Sequence, residues 1–131
     1  MKLQFKILGE PVPWGRVKRS RSGFAYVPKK TREAKESAAA QIAHQLQEQA
    51  PEFKLLTAPL CLDIVVYRSK PKSAKKGDKY PSKRPDLDNF IKLVLDAMNS
   101  IVFVDDAQVV ELHAEKQYDE RPRVEIIVAE L

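Results

Sequence analysis

The chain has 131 residues, of which 44% are apolar and 31% charged, and its formal net charge is +5. This length predicts one domain, residues 1–131, with enough apolar residues to form a core. No segment approaches the ~20 apolar residues of a membrane span, no signal-peptide block opens the chain, and the single cysteine, Cys61, excludes an internal disulfide framework, so we expect a cytoplasmic protein with no membrane partner.

The first half of the chain predicts a strand, a short strand and a helix. Apolar and polar residues alternate over residues 3–7, which predicts a half-buried strand that Pro11 and Pro13 terminate. A second, short strand is predicted at 24–27, after a Ser-Gly turn pair. Thr31 is predicted to cap a helix that runs to about Ala50. The predicted buried stripe of this helix is Ala34, Ala38, Ile42 and Leu46.

The second half of the chain predicts a strand, a basic loop, a helix and two further strands. The strand at 60–67 has apolar residues on both faces, which indicates a central position in a sheet. Residues 69–85 have no apolar period and are predicted to form a loop. A helix follows over about 89–100. Strands at 109–118 and 123–130 are predicted to form a hairpin across a four-residue turn.

These elements predict an α+β fold: a single mixed sheet of about five strands with two main helices packed on one face. The four glycines, at positions 9, 15, 23 and 77, are too scattered for a phosphate-binding loop. We therefore expect no nucleotide cofactor.

Positive charge is concentrated in two segments, residues 16–32 and 68–84, which together carry +14 while the rest of the chain carries −9. Segregated positive charge attracts nucleic acid, because protein cations displace the counterions condensed on phosphates. The alternative is that both segments are solvated loops. The residues that we expect to contact nucleic-acid backbone phosphates are Arg16, Lys18, Arg19, Arg21, Lys29, Lys30, Lys70, Lys72, Lys75, Lys76, Lys79, Lys83 and Arg84.

Two aspartates, Asp86 and Asp88, precede the second helix. Pro85 biases this stretch toward extended backbone, in which residues two apart point to the same side, so the two carboxylates are expected to project together. Like charges this close repel unless a cation lies between them, and Mg²⁺ prefers carboxylate oxygens. The alternative is that Asp88 caps the helix and Asp86 is a loop acid.

A second acidic pair, Asp105-Asp106, precedes the strand that begins near Val109. The helix and its return connection can bring this pair back beside the sheet, whereas the alternative is a turn built from two aspartates. Lys92 lies one helical turn after Asp88, where it can form an ion pair with Asp88 or contact a phosphate. Carboxylates, a lysine and flanking basic loops are the groups that metal-assisted phosphodiester cleavage requires.

The residues between 84 and 110 also match a known pattern. The matching residues are Asp86-Leu87-Asp88-Asn89, Lys92, Asp96-Ala97 and Asp105-Asp106-Ala107-Gln108-Val109. With this spacing the chain resembles the RusA family of Holliday junction resolvases, and the residues 9–17 and 26–31 are also similar to that family. The likeness extends over about residues 3–128.

This resemblance implies a homodimeric endonuclease of DNA recombination and repair, often encoded by prophages. Such proteins bind four-way DNA junctions and nick two strands symmetrically, with Mg²⁺ or Mn²⁺ as cofactor. The resemblance assigns catalysis to Asp86, Asp88, Asp106 and Lys92. It assigns the metal to the same three aspartates, with a secondary role for Asp105.

Two other functions are compatible with the residues taken alone. The first is a non-catalytic nucleic-acid-binding module, in which the basic loops bind and the acids only cap and turn. The second is a metal nuclease that acts on other branched DNA or on RNA. Trp14 can stack on a base or pack within the protein, and we favour a role in packing.

Overall fold

The computed structural model describes residues 1–131 and contains two α-helices and six strands. The helices are α1, Lys29–Gln49, and α2, Leu87–Met98. The strands are β1, Lys2–Leu8, β2, Lys18–Arg19, β3, Ala25–Tyr26, β4, Leu60–Arg68, β5, Val109–Tyr118, and β6, Arg123–Glu130. No helix combines the length and the apolarity that a bilayer crossing requires.

The main sheet is mixed and has four strands in the order β1-β6-β4-β5. β5 is parallel to β4, whereas β6 is antiparallel to both β4 and β1. The strand predicted at 24–27 is present as β3, but it pairs with β2 in a separate two-stranded sheet. The predicted α+β fold with a mixed sheet is therefore confirmed, and the main sheet has one strand fewer than expected.

β4 lies between β5 and β6, as the apolar residues on both of its faces predicted. Leu60, Leu62, Ile64 and Val66 are fully buried on the face that carries the helices. Its parallel partner, β5, follows it in the chain through α2, because parallel neighbours need a crossover connection. This β4–α2–β5 unit places α2 against the sheet and beside the edge strand β5.

The predicted hairpin between β5 and β6 is wrong, because β4 lies between these two strands. The connection 119–122 crosses the end of β4, where the Asp119 backbone N–H donates to the Arg68 carbonyl at 2.9 Å. Two strand spacings are about 10 Å, which a connection of four residues can span. Two strands joined by a short turn give the same sequence pattern whether the strands are direct neighbours or have a third strand between them.

The helices cover one face of the sheet, as predicted. Ala38, Ile42 and Leu46 of the predicted stripe of α1 are buried, and Ala34 is half-buried. The predicted cap of α1 is wrong. The helix begins at Lys29 after Pro28, and Thr31 is buried in its first turn, with 3% of its surface exposed.

A row of glutamines from α1 covers β1, one of the two edges of the main sheet. Gln49 and Gln45 each accept from and donate to the backbone of one β1 residue, Gln4 and Lys6 respectively. Gln41 accepts from the Leu8 N–H at 2.8 Å. Covering an edge strand in this way blocks pairing with another chain, since the free backbone groups already have partners.

Candidate active site and nucleic-acid surface

Asp86 and Asp88 lie at the start of α2, but their backbones differ. Asp86 precedes the helix with extended backbone, φ −71° and ψ 148°, and Asp88 is already helical in the first turn. The extended-chain argument for a shared direction is therefore wrong, because it does not apply to Asp88. Asp86 makes no side-chain capping bond, and no ion pair includes either carboxylate. Both side chains are exposed.

Lys92 contacts an aromatic ring and not Asp88. Its ammonium lies 5.1 Å from the centre of the Trp14 ring, in a cation–π contact. No ion pair forms between Lys92 and Asp88, one turn earlier on the helix. The positive charge of Lys92 therefore lies near the start of α2 without an acidic partner.

The loop that carries Trp14 is attached to both helices. The Trp14 backbone N–H donates to the Asn89 carbonyl at 2.9 Å, and the Gly15 N–H donates to Thr31 Oγ1 at 3.0 Å. A Cβ on Gly15 would lie 2.6 Å from that Thr31 oxygen, closer than real Cβ atoms approach. The half-buried Trp14 is therefore fixed against the first turn of α2, which agrees with the favoured role in packing.

Asp105 builds a turn, as one of the alternatives expected. It caps the short 3₁₀ helix Asp106–Gln108, where its carboxylate accepts from the Ala107 N–H at 3.4 Å. Gln108 completes a capping box by accepting from the Asp105 N–H at 2.9 Å, and it donates to the carbonyls of Leu56 and Ala58. These bonds fix the entry to β5 and hold Asp106 in place.

Asp106 lies in a group of polar side chains at the far end of α2. Hydrogen bonding to Asp105 is the largest cause that raises its pKa above the ordinary value, followed by partial burial and the negative charges of Asp105 and Asp96, while the Asn99 amide lowers it. The buried Asn99 Oδ1 has no hydrogen-bond partner. Sequence reasoning assigned no role to Asp96 or Asn99, although their spacing of eight and eleven residues from Asp88 would have placed them on the same side of α2.

The structure does not gather the predicted aspartates around one point. No group of three or more His, Cys, Asp or Glu side chains has an arrangement that could hold a metal ion. Asp88 and Asp96 are eight residues apart, about 12 Å along the helix axis, and Asp106 lies on the Asp96 side. The donor chemistry does suit Mg²⁺, since every group here offers oxygen atoms. The three-aspartate metal site thus stays a prediction.

The basic residues that were predicted to contact DNA are all exposed. Among them only Lys29 forms an ion pair, with Glu33 one turn further on α1. Lys70 donates to the Asp78 carbonyl at 2.7 Å and lies 5.8 Å from the centre of the Tyr118 ring. The two segments therefore present positive charge that acids of the protein do not neutralise, which is the electrostatic property of a phosphate-binding surface.

Two sets of contacts bring both basic segments to the end of the sheet where α2 begins. The Glu10 carboxylate accepts from the Ser69 N–H at 3.2 Å and from its hydroxyl at 2.7 Å, which joins the N-terminal loop to the basic loop. Lys116 donates to the carbonyls of Lys83 and Pro85, which fixes the segment that leads into α2. Sequence reasoning missed Glu10 and Lys116, because their partners are distant in sequence.

Comparisons with known proteins agree with these features. The model of the family Endodeoxyribonuclease RusA matches residues 9–129. The uncharacterized protein YqaN of Bacillus subtilis (strain 168) is 37% identical over 142 aligned residues, which cover 98% of this chain and 96% of that protein. The crossover junction endodeoxyribonuclease rusA of Lactococcus phage r1t is 36% identical over 74 residues, 56% of each chain.

Proposed function

The chain belongs to the RusA family of endodeoxyribonucleases, and from this premise we propose that it resolves four-way (Holliday) DNA junctions by two symmetric, metal-dependent nicks. The family acts on branched DNA. The substrate form, the metal and the paired nicks of this chain are the parts that we propose.

One observation carries the proposal. Both basic segments and the carboxylates at the start of α2 lie at the same end of the sheet. The Glu10 carboxylate accepts hydrogen bonds from Ser69, and the Trp14 backbone N–H donates to the Asn89 carbonyl. A DNA backbone attracted by the basic residues would therefore lie next to Asp86, Asp88 and Lys92. A binding module with no catalytic role would use the basic residues alone and leave Asp86 and Asp88 as acids at a helix start. A nuclease would also use their carboxylates, which are exposed and form no ion pair.

In this proposal the basic and the acidic residues have different roles. The exposed lysines and arginines hold the phosphates of the junction arms, and they release counterions as they do so. Lys92, which has no acidic partner, is available to stabilise negative charge that develops on the phosphate under attack. Asp86, Asp88 and Asp106 contribute carboxylate oxygens.

We propose Mg²⁺ or Mn²⁺ as the cofactor, with Asp86, Asp88 and Asp106 as its ligands and Asp105 in support. Because Asp106 lies at the opposite end of α2 from Asp86 and Asp88, the proposal requires these carboxylates to approach one another when the metal and DNA bind. A bound divalent ion supplies charge neutralisation at the scissile phosphate and an acidified water. The oxygen-only donor set supports this choice.

Two nicks on opposed strands require two sites, and we propose that a homodimer supplies them. A four-way junction has two-fold symmetry, which a C₂ dimer matches with one site in each subunit. Light scattering at micromolar protein should report twice the chain mass of 14.9 kDa. A monomer both free and on a junction would exclude paired nicking by two subunits.

The decisive experiment compares cleavage of a four-way junction and of a linear duplex of the same sequences, with and without Mg²⁺. The proposal expects paired cuts in the junction, only with the metal, and none in the duplex. Binding without cleavage under every metal tested would favour the non-catalytic module. Equal cleavage of flaps, other branched DNA or RNA at matched salt would favour the other metal nucleases.

A further inference from the structure

We propose that Trp14 is a positioning residue, which holds the Lys92 ammonium away from Asp88 and ready for the substrate phosphate. This inference rests on the proposed function, because it concerns how the lysine of that site is placed. The observation that carries it is the cation–π contact of 5.1 Å between the Lys92 ammonium and the Trp14 ring.

The contact is informative because Lys92 also has an acidic neighbour, Asp88, one helical turn earlier. A lysine four residues after an aspartate on a helix usually has that carboxylate within reach. Here Lys92 is exposed and its long side chain is free to rotate, yet no ion pair with Asp88 forms. An aromatic face attracts the ammonium without neutralising its charge, so the full positive charge remains available to an incoming phosphate.

The ring can position the lysine because the backbone of Trp14 is hydrogen-bonded to the helix that carries the lysine. Its backbone N–H is bonded to Asn89, in the first turn of the helix that carries Lys92. The next residue, Gly15, fits so closely against Thr31 that a side chain there would collide with its hydroxyl. Helix α2 and the loop that carries the ring are thus joined directly beside Lys92. Asp88 lies one turn earlier on the same helix, so the ring offers the ammonium a second neighbour beside that carboxylate.

The first test is spectroscopic and needs no nuclease activity. The chain contains one tryptophan, so emission excited selectively above the tyrosine absorption reports on Trp14 alone. Lys92→Met should change the emission maximum or intensity, because it removes the charge over the ring. Lys6→Met is the matched control, since Lys6 lies at Glu125 and should leave the emission unchanged. Identical emission from wild type and Lys92→Met would overturn the proposal.

The second test is kinetic. At saturating junction, Trp14→Leu should slow single-turnover cleavage about two- to thirtyfold, the range expected for a lost cation–π contact, while junction affinity changes less than about threefold. Trp14→Phe keeps an aromatic face and should retain most of the rate. In a Lys92→Met background, Trp14→Leu should cost little more, because the two residues act as a unit.

Two results would contradict positioning, and a third concerns only the proposed function. Additive losses in the double variant would mean that Trp14 acts independently of Lys92. A loss of affinity with an unchanged rate at saturation would make Trp14 a DNA contact instead. If Trp14→Leu does not fold, the emission of Lys92→Met, which keeps the ring, decides the proposal. If the wild type cleaves no DNA, the proposed function fails, and the emission test still decides whether the ring holds the lysine.

Discussion

The Lys92 ammonium lies over the Trp14 ring at 5.1 Å and forms no ion pair with Asp88, one turn away on the same helix. The arrangement separates the positive and negative groups at the start of α2. Both kinds of charge are therefore free to interact with partners outside the protein, as a phosphodiester and a cation would require.

Lys92→Met tests whether the lysine acts in the chemical step. We expect single-turnover cleavage at saturating junction to fall roughly 10²- to 10³-fold, as for other groups that stabilise charge in a transition state, with little change in junction affinity. Rapid-quench kinetics and a gel-shift titration measure the two quantities, and Lys6→Met serves as the control. A weaker affinity with an unchanged rate would make Lys92 a binding residue only.

Conversion of Asp86, Asp88 or Asp106 to Asn keeps the shape of the side chain and removes its charge. We expect metal-dependent nicking to fall by at least about 10²-fold in each variant, while junction binding persists or tightens because repulsion of phosphate is relieved. Asp63→Asn is the control, as Asp63 is an exposed acid of β4. Normal turnover by Asp88→Asn would remove this residue from the site.

Salt dependence tests the basic loop. The logarithm of the association constant should fall linearly with the logarithm of the salt concentration, by about 0.9 per phosphate neutralised on duplex arms. The double variant Lys75→Gln with Lys76→Gln should lower the steepness of that slope by up to about 1.8. Lys54→Gln, a change at an exposed residue of the connection between α1 and β4, should leave the slope unchanged. An affinity independent of salt would contradict phosphate contacts altogether.

The glutamines of α1 give a stability prediction. Gln45→Ala removes two hydrogen bonds to the Lys6 backbone, and we expect a loss of about 1–2 kcal/mol in the free energy of unfolding. Urea denaturation measures the loss, and Gln47→Ala is the control because its exposed side chain lies on the same helix. Equal stabilities of the two variants would mean that water replaces these bonds without cost.

The stability should also depend on pH through Asp119. The hydrogen bond from Arg123 lowers the Asp119 pKa below its ordinary value, and the Glu120 backbone N–H acts in the same direction. A depressed pKa stabilises the fold above the unfolded-state pKa of about 3.9, and this stabilisation is lost as the pH falls through the folded-state value. Wild type and Asp119→Asn should therefore differ in unfolding free energy at neutral pH and converge in strong acid. A difference that is constant over pH would exclude this ion pair as its source.

The sequence was sufficient for most elements, because their apolar periods are strong. β1, α1, β4, α2, β5 and β6 all lie close to their predicted positions. The pairing of β5 with β4 could not be read in the same way, because alternation states which face of a strand is buried and not which strand lies next to it. The helix cap failed for a related reason: Thr31 turns its hydroxyl to the Gly15 N–H, a partner sixteen residues away.

The candidate site was predictable in its residue types and less so in its geometry. The spacing of Asp86, Asp88 and Lys92 indicated the start of α2, since Asp86 precedes the helix and Asp88 and Lys92 lie in its first two turns. The position of Asp106 depends on where the connection after α2 returns, which Gln108 sets through the Leu56 and Ala58 carbonyls. Contacts of this kind leave no periodic trace in the sequence.

The glutamine row on β1 has a limited length, because helix and strand advance at different rates. Four residues of helix rise about 6.0 Å and two residues of strand about 6.6 Å, so each further rung loses about 0.6 Å of register. The third rung already shows the effect: Gln41 accepts from the Leu8 N–H but donates to Ser37 instead of the Leu8 carbonyl. Because of this mismatch, the hydrogen bonds between α1 and the chain end where β1 ends. The loop that follows runs toward α2, where Trp14 binds the Asn89 carbonyl.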